Sequence, residues 1–184
     1  MLLALLLASS LGDRIAHRAD AAVGHPATDC TSLARSIYSR EGIELVAEPE
    51  RPGENGVTNI HRLARARRAL RSRPRRGDLV FFRNTTGRGG LTHIGIVDRV
   101  HGSRVTFVNR ISKGVVRSRL DLRHPHSRKS NDVLRRSPRR LTGELAAGFA
   151  SPDRLSASRA RTRCRRADTA CRSGRGSARN PRRS

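Results

Sequence analysis

The chain has 184 residues, a hydrophobic fraction of 35%, no Trp, one Tyr and a formal net charge of +24. These values leave room for one domain with a small core and exclude several domains that are ordered throughout. Nearly all the positive charge is arginine, since Lys113 and Lys129 are the only lysines. Such a surface attracts anions such as nucleic acid, anionic lipid or acidic envelope polymers, although a bias toward arginine codons would produce the same composition without any partner.

Residues 1–12, MLLALLLASSLG, form an apolar run of h-region length followed by small residues. They read as a signal-like leader, with an N-terminal helix of the domain as the alternative; the run is too short for a membrane span. Export by this leader would place the protein outside the cytoplasm. A first helix is expected over residues 13–23, with Ile15, Ala19 and Ala22 on one face, ending at Gly24-His25-Pro26. Asp29 can cap a second helix whose apolar stripe is Leu33, Ile37 and Tyr38, with Gly42 as a left-handed stop. Residues 46–58 read as a loop. Asn59 can cap a third helix with Ile60, Leu63 and Leu70 facing inward.

After residue 74 the pattern turns strand-like. Residues 79–82, 93–100, 104–109 and 114–120 are predicted strands, with NTTGRGG at 84–90 as a loop and His101-Gly102-Ser103 as a tight turn. Helices followed by an antiparallel meander give an α+β fold, N-terminal helices packed on a small antiparallel sheet. Residues 151–184 hold almost no large apolar side chain, so an Arg-rich disordered tail is expected there. The domain is thus placed at residues 13–150.

Cys164 and Cys171 lie close together in that tail and can bridge each other in an exported protein. Cys30 is then left over, as a core thiol or as a nucleophile. No second pair of Cys or His stands at metal-ligand spacing, so neither a metal nor another cofactor is expected; His124 and His126 read as solvated surface. Cys30 lies at a helix start, where the macrodipole and free N–H groups favour the thiolate. A nucleophile needs a base and the base an orienting group. His93 stands at the mouth of a strand. If the turn at 101–103 pairs Val100 with Arg104, Gly95 faces Asn109, and Asn109 becomes a diagonal neighbour of His93 on one sheet face. The Asn109 carbonyl can then accept the ring N–H of His93.

Asp29-Cys30 opening a helix, Arg76-Gly77-Asp78-Leu79-Val80-Phe81-Phe82 and Thr92-His93-Ile94-Gly95-Ile96-Val97 follow one another in an order and spacing that resembles the NlpC-like cell-wall cysteine peptidases and the related CHAP amidases. The resemblance implies a papain-like fold and hydrolysis of amide bonds in peptidoglycan stem peptides. It implies Cys30 as nucleophile, His93 as base, Asn109 as the third polar residue and Asp29 as a contact for the substrate's free amine. Thr31-Ser32 stand where those peptidases commonly have Ser-Gly, and Arg76 stands where they have proline. A monomer is expected. Two rival readings remain. One is a catalytically silent member of the fold that binds the wall. The other is a basic nucleic-acid-binding protein, against which the five aromatics lie in apolar contexts and no binding motif appears, so no specific nucleic acid is expected. The tail reads either as padding or as a hold on anionic envelope polymers.

Overall fold

The computed structural model describes residues 9–85, 89–125, 127, 129–133, 135–136, 141–142 and 144–157. Residues 1–8 of the predicted leader and residues 158–184 of the predicted tail, Cys164 and Cys171 among them, lie outside these. The described elements are helices α1 (Leu11–Ala21), α2 (Cys30–Ser39) and α3 (Gly56–Ala66), strands β1 (Leu70–Arg71), β2 (Leu79–Arg83), β3 (Leu91–His101), β4 (Arg104–Ile111), β5 (Gly114–Asp121), β6 (Arg135–Arg136), β7 (Leu141–Thr142) and β8 (Glu144–Ala150), and a last turn of helix, α4, at 152–157. The main sheet is antiparallel, ordered β1-β8-β2-β3-β4-β5, and β6 pairs with β7.

The helices cover one face of the sheet. Ile15 and Ala19 of α1, Leu33, Ile37 and Tyr38 of α2, and Val57, Ile60 and Leu63 of α3 pack on Leu79, Phe81, Ile94, Ile96 and Val108. A second cluster on the other face joins Val80, Phe82, Val97, Val105, Phe107, Leu120 and Phe149. Both clusters follow from period-2 alternation along the strands, so each strand feeds two cores.

Four details differ from the sequence reading. α1 starts two residues earlier, because Ser10 caps it by accepting from the Asp13 N–H, so Leu11 and Gly12 belong to the helix. α3 is capped by Asn55, whose side chain accepts from the Thr58 N–H at 2.9 Å. Asn59 lies inside that helix, where its amide bonds both the N–H and the C=O of Ala47. Leu70 belongs to β1. The folded chain also runs past residue 150: Leu155 of α4 is fully buried and Arg154 Nη1 donates to the Arg68 carbonyl at 2.8 Å.

The segment Arg76-Gly77-Asp78 ties the layers together. The Gly77 N–H donates to the Val97 carbonyl, the Val97 N–H to the Asp78 carbonyl, and the buried Tyr38 hydroxyl to the Gly77 carbonyl at 2.6 Å. The Asp78 carboxylate is wholly buried, accepts from the Arg75 N–H at 2.7 Å and stands 2.9 Å from Arg71 Nη2. Burial pushes its pKa up from 3.8 to about 7, against the pull of the Arg75 N–H and Arg71. The sign follows from linkage. Between about pH 4 and 7 the folded chain keeps a proton that the unfolded chain has released, so this group makes stability fall as pH rises through that window. The half-buried His61, whose pKa burial lowers from its ordinary 6.5, acts in the opposite direction below that pH. Comparison of wild type with Asp78→Asn cancels the His61 contribution. The expected result is a thermal midpoint difference that shifts in favour of the variant from pH 5 to pH 8; a constant difference would refute the assignment.

Candidate active site

Cys30 is the first residue of α2, and the side chain before it organises that helix start. Asp29 Oδ1 accepts from the Thr31 N–H at 2.7 Å, the Ser32 N–H at 2.8 Å and the Thr31 hydroxyl at 2.6 Å. Ser32 Oγ in return accepts from the Asp29 N–H, completing a capping box. Partial burial works to raise the Asp29 pKa, but these bonds outweigh it and hold the carboxyl below its ordinary value. All three bonds fall on Oδ1, which leaves Oδ2 of this exposed residue beside Cys30. Thr31 finds its space at Gly56, the first residue of α3, where a Cβ would stand 2.9 Å from the Thr31 hydroxyl oxygen.

His93 sits near the start of β3, which is held from both sides. Asn55 Nδ2 donates to the Leu91 carbonyl at 3.0 Å, and the Thr85 N–H donates to the Thr92 hydroxyl at 2.8 Å. Across the sheet His93 pairs with Phe82, and the two rings are 6.0 Å apart. Its Nε2 lies 2.9 Å from Oδ1 of the fully buried Asn109. Gly95 makes this approach possible: a Cβ there would lie 2.6 Å from the Phe107 ring and 3.3 Å from Asn109 Cβ. The Asn109 amide nitrogen donates to Ser118 Oγ at 2.8 Å and to the Val116 carbonyl at 3.3 Å.

The register that brings His93 to Asn109 arises differently from the sequence reading. His101, not Val100, pairs with Arg104, around a two-residue turn. That pairing alone would move Asn109 one place along β3. A bulge between Val97 and Arg99 restores the register, so that Val97 faces Phe107 and Ile96 faces Val108. Asp98, the extra residue, is buried and its carboxylate accepts from Arg117 Nε at 3.3 Å.

The Cys30 thiol is partly buried and lies against the backbone N–H of Ile94, the residue after His93. The β3–β4 pairing ends at Ile96–Val108, two residues short of Ile94, and the sulfur meets the Ile94 N–H there. Arg110 Nε donates to the Ala27 carbonyl at 3.1 Å and holds the segment before α2 against β4. Burial, seconded by the Asp29 charge, pushes the thiol above the ordinary thiol range, and the N–H groups of Ile94, Cys30 and Thr31 only moderate it. This corrects the expectation of a thiolate favoured by the helix start: desolvation of the sulfur outweighs the first-turn dipoles, two of whose N–H groups already serve Asp29.

One helix start and two neighbouring strands carry Asp29, Cys30, His93 and Asn109: His93 meets Asn109, and Cys30 meets the backbone of β3 at Ile94. The NlpC/P60 family model matches residues 18–132. The chain belongs to the NlpC/P60 family. Its α+β architecture is that of the papain-like NlpC/P60 fold, and the family is one of cell-wall cysteine peptidases and amidases that act on peptidoglycan. No curated protein and no solved structure matches the chain. The matched span carries α2, α3 and strands β1 to β5, and so every residue of the constellation.

Three contributors escaped the sequence reading. The Ile94 N–H is a backbone group and leaves no trace in residue type. Val116 acts through its carbonyl and is equally silent. Ser118 left a weak signal, as a small polar residue between Val116 and Leu120 on one face of β5. Among the described residues no group of three His, Cys, Asp or Glu side chains is arranged to hold a metal.

Proposed function

We propose that this NlpC/P60 protein is a cysteine peptidase or amidase that cleaves an amide bond in peptidoglycan stem peptides, outside the cytoplasm, with Cys30 as nucleophile, His93 as base and Asn109 as orienting group. The observation that carries the reading is the 2.9 Å bond from His93 Nε2 to the buried Asn109 carbonyl, one residue from the backbone N–H that meets the Cys30 sulfur. His93 takes the thiol proton as sulfur attacks the amide carbonyl carbon, and the Cys30 N–H faces the oxyanion. The imidazolium then protonates the departing amine as the C–N bond breaks, leaving a thioester. Water attacks the thioester, His93 receives its proton, and that proton returns to sulfur as the acid product leaves. Asp29 Oδ2 is available to a substrate ammonium group. The test is digestion of purified peptidoglycan with mass analysis of the fragments, beside protein pre-treated with iodoacetamide. New paired amine and carboxyl ends with wild type alone are expected. Binding without fragments would favour the silent wall-binding member of the fold.

Charge supports a second contact, with anionic envelope polymers. Arg73, Arg75 and Arg154, with Arg71 that also pairs with Asp78, line one cleft of about 420 Å³ together with Ser72 and Ser151, and Asp153 is the carboxylate among its lining residues. Retention on isolated walls should fall steeply with added salt. Arg73→Ser with Arg75→Ser should lower retention at low salt while leaving cleavage of a soluble stem peptide unchanged. Equal retention of both proteins would exclude this cleft as the contact.

A further inference from the structure

We propose that Ser118 is a positioning residue for the reaction, which holds the Asn109 amide in the orientation that sets the ring nitrogen of His93 carrying the proton. The inference rests on the catalytic reading above and extends it by one strand. Asn109 is fully buried, and its amide could in principle present either end to His93. One group on β5 chooses the end and a second holds it there. The Val116 carbonyl, 3.3 Å from Nδ2, can only accept, so a reversed amide would set two acceptor oxygens against each other. Ser118 Oγ takes the second amide hydrogen at 2.8 Å, the shorter of the two bonds. With both hydrogens committed to β5, Oδ1 is the atom left for His93 Nε2 at 2.9 Å. A carbonyl only accepts, so Nε2 carries the hydrogen, and Nδ1 of the neutral ring is the unprotonated nitrogen that a base requires.

The placement of Ser118 supports a role beyond packing. In the β4–β5 register Asn109 pairs with Val116 and Phe107 with Ser118, which makes Ser118 the diagonal neighbour of Asn109 on one face. It is 5% exposed, next in line to Val116 and Leu120, where an alanine or valine would fill space without burying a hydroxyl. The relay therefore crosses three adjacent strands, His93 on β3, Asn109 on β4 and Ser118 on β5.

The experiment compares wild type, Ser118→Ala and Ser118→Thr by ring-nitrogen NMR of His93 and by steady-state cleavage of a soluble stem peptide. The alanine variant should show a mixture of ring tautomers and a kcat lower by roughly three- to tenfold at unchanged KM. The threonine variant keeps the hydroxyl and should recover most of both. A single Nε2–H tautomer with wild-type kcat in Ser118→Ala would overturn the inference, as would a kcat loss shared equally by the threonine variant, which would point to packing. The tautomer readout needs no substrate, so a failure of this inference and a failure of the catalytic reading give separate results.

Discussion

Cys30→Ala is expected to leave no measurable hydrolysis of a stem peptide, and His93→Ala to lower it by roughly 10²–10⁴-fold. The second value follows from the state of the thiol. Burial raises the Cys30 pKa above the ordinary thiol value, so without a base beside it the sulfur is ionised less at pH 7 than an ordinary thiol. The first-turn dipoles cannot supply the thiolate alone, because the Thr31 and Ser32 N–H groups are bound to Asp29. Proton transfer to His93 is then a condition of attack, and the loss of the ring should be felt twice. Hydrolysis should fall, and alkylation of Cys30 by iodoacetamide at pH 7 should slow in parallel, recovering only as the pH approaches the raised thiol pKa. Fast alkylation at pH 7 in His93→Ala would show that the helix start activates the sulfur unaided and would remove His93 from the mechanism. Asn109→Ala should be milder, since that side chain holds a ring nitrogen in place and exchanges no proton with substrate.

The readable and unreadable parts of this fold separate by physical cause. β2, β3, β4 and β5 were visible because apolar side chains alternate or run together over four residues or more, and α2 was visible because Asp29 and an apolar stripe mark it. β1 and β8 were missed. β1 is two residues long, and ELAAGFA of β8 has no alternation of polar and apolar residues. The α3 cap was misplaced because Asn55 and Asn59 are equally good caps by residue type, and the choice depends on Ala47, whose backbone claims Asn59 from outside the helix. The His93–Asn109 pairing was anticipated through two features that offset each other, a turn shorter by one residue and a bulge at Asp98. Neither is written in local propensity: the bulge depends on Arg117, nineteen residues further along, for the Asp98 carboxylate. The thiol's protonation could not be read either, since it is set by how deeply the sulfur lies between α2 and β3.

Gly77→Ala is expected to be among the most destabilising single substitutions in the chain, at about 2–5 kcal/mol, from two additive causes. The first is conformational. Gly77 has φ +82°, in the left-handed region where a Cβ meets its own carbonyl. The second is a contact between backbones. A Cβ at Gly77 would stand 2.3 Å from the Gly12 carbonyl oxygen and 2.5 Å from Gly12 Cα. No side-chain rotation can relieve this, so α1 or the start of β2 must move. Moving β2 is opposed by the Gly77–Val97 backbone bond and the Tyr38 hydroxyl on the Gly77 carbonyl. Two companion variants separate the causes. Gly102→Ala has φ +57° and open space around it, so it should show the conformational cost alone, roughly 1–2 kcal/mol. Gly12→Ala is helical, and its Cβ would lie 2.4 Å from the Arg76 carbonyl oxygen, so it should show the contact alone. In urea denaturation the loss for Gly77→Ala should approach the sum of the other two, less whatever α1 recovers by shifting outward. A loss no larger than that of Gly102→Ala would mean that α1 does not press on this turn. The docking of α1 would then rest on Ile15, Ala16 and Ala19 and not on the paired glycines.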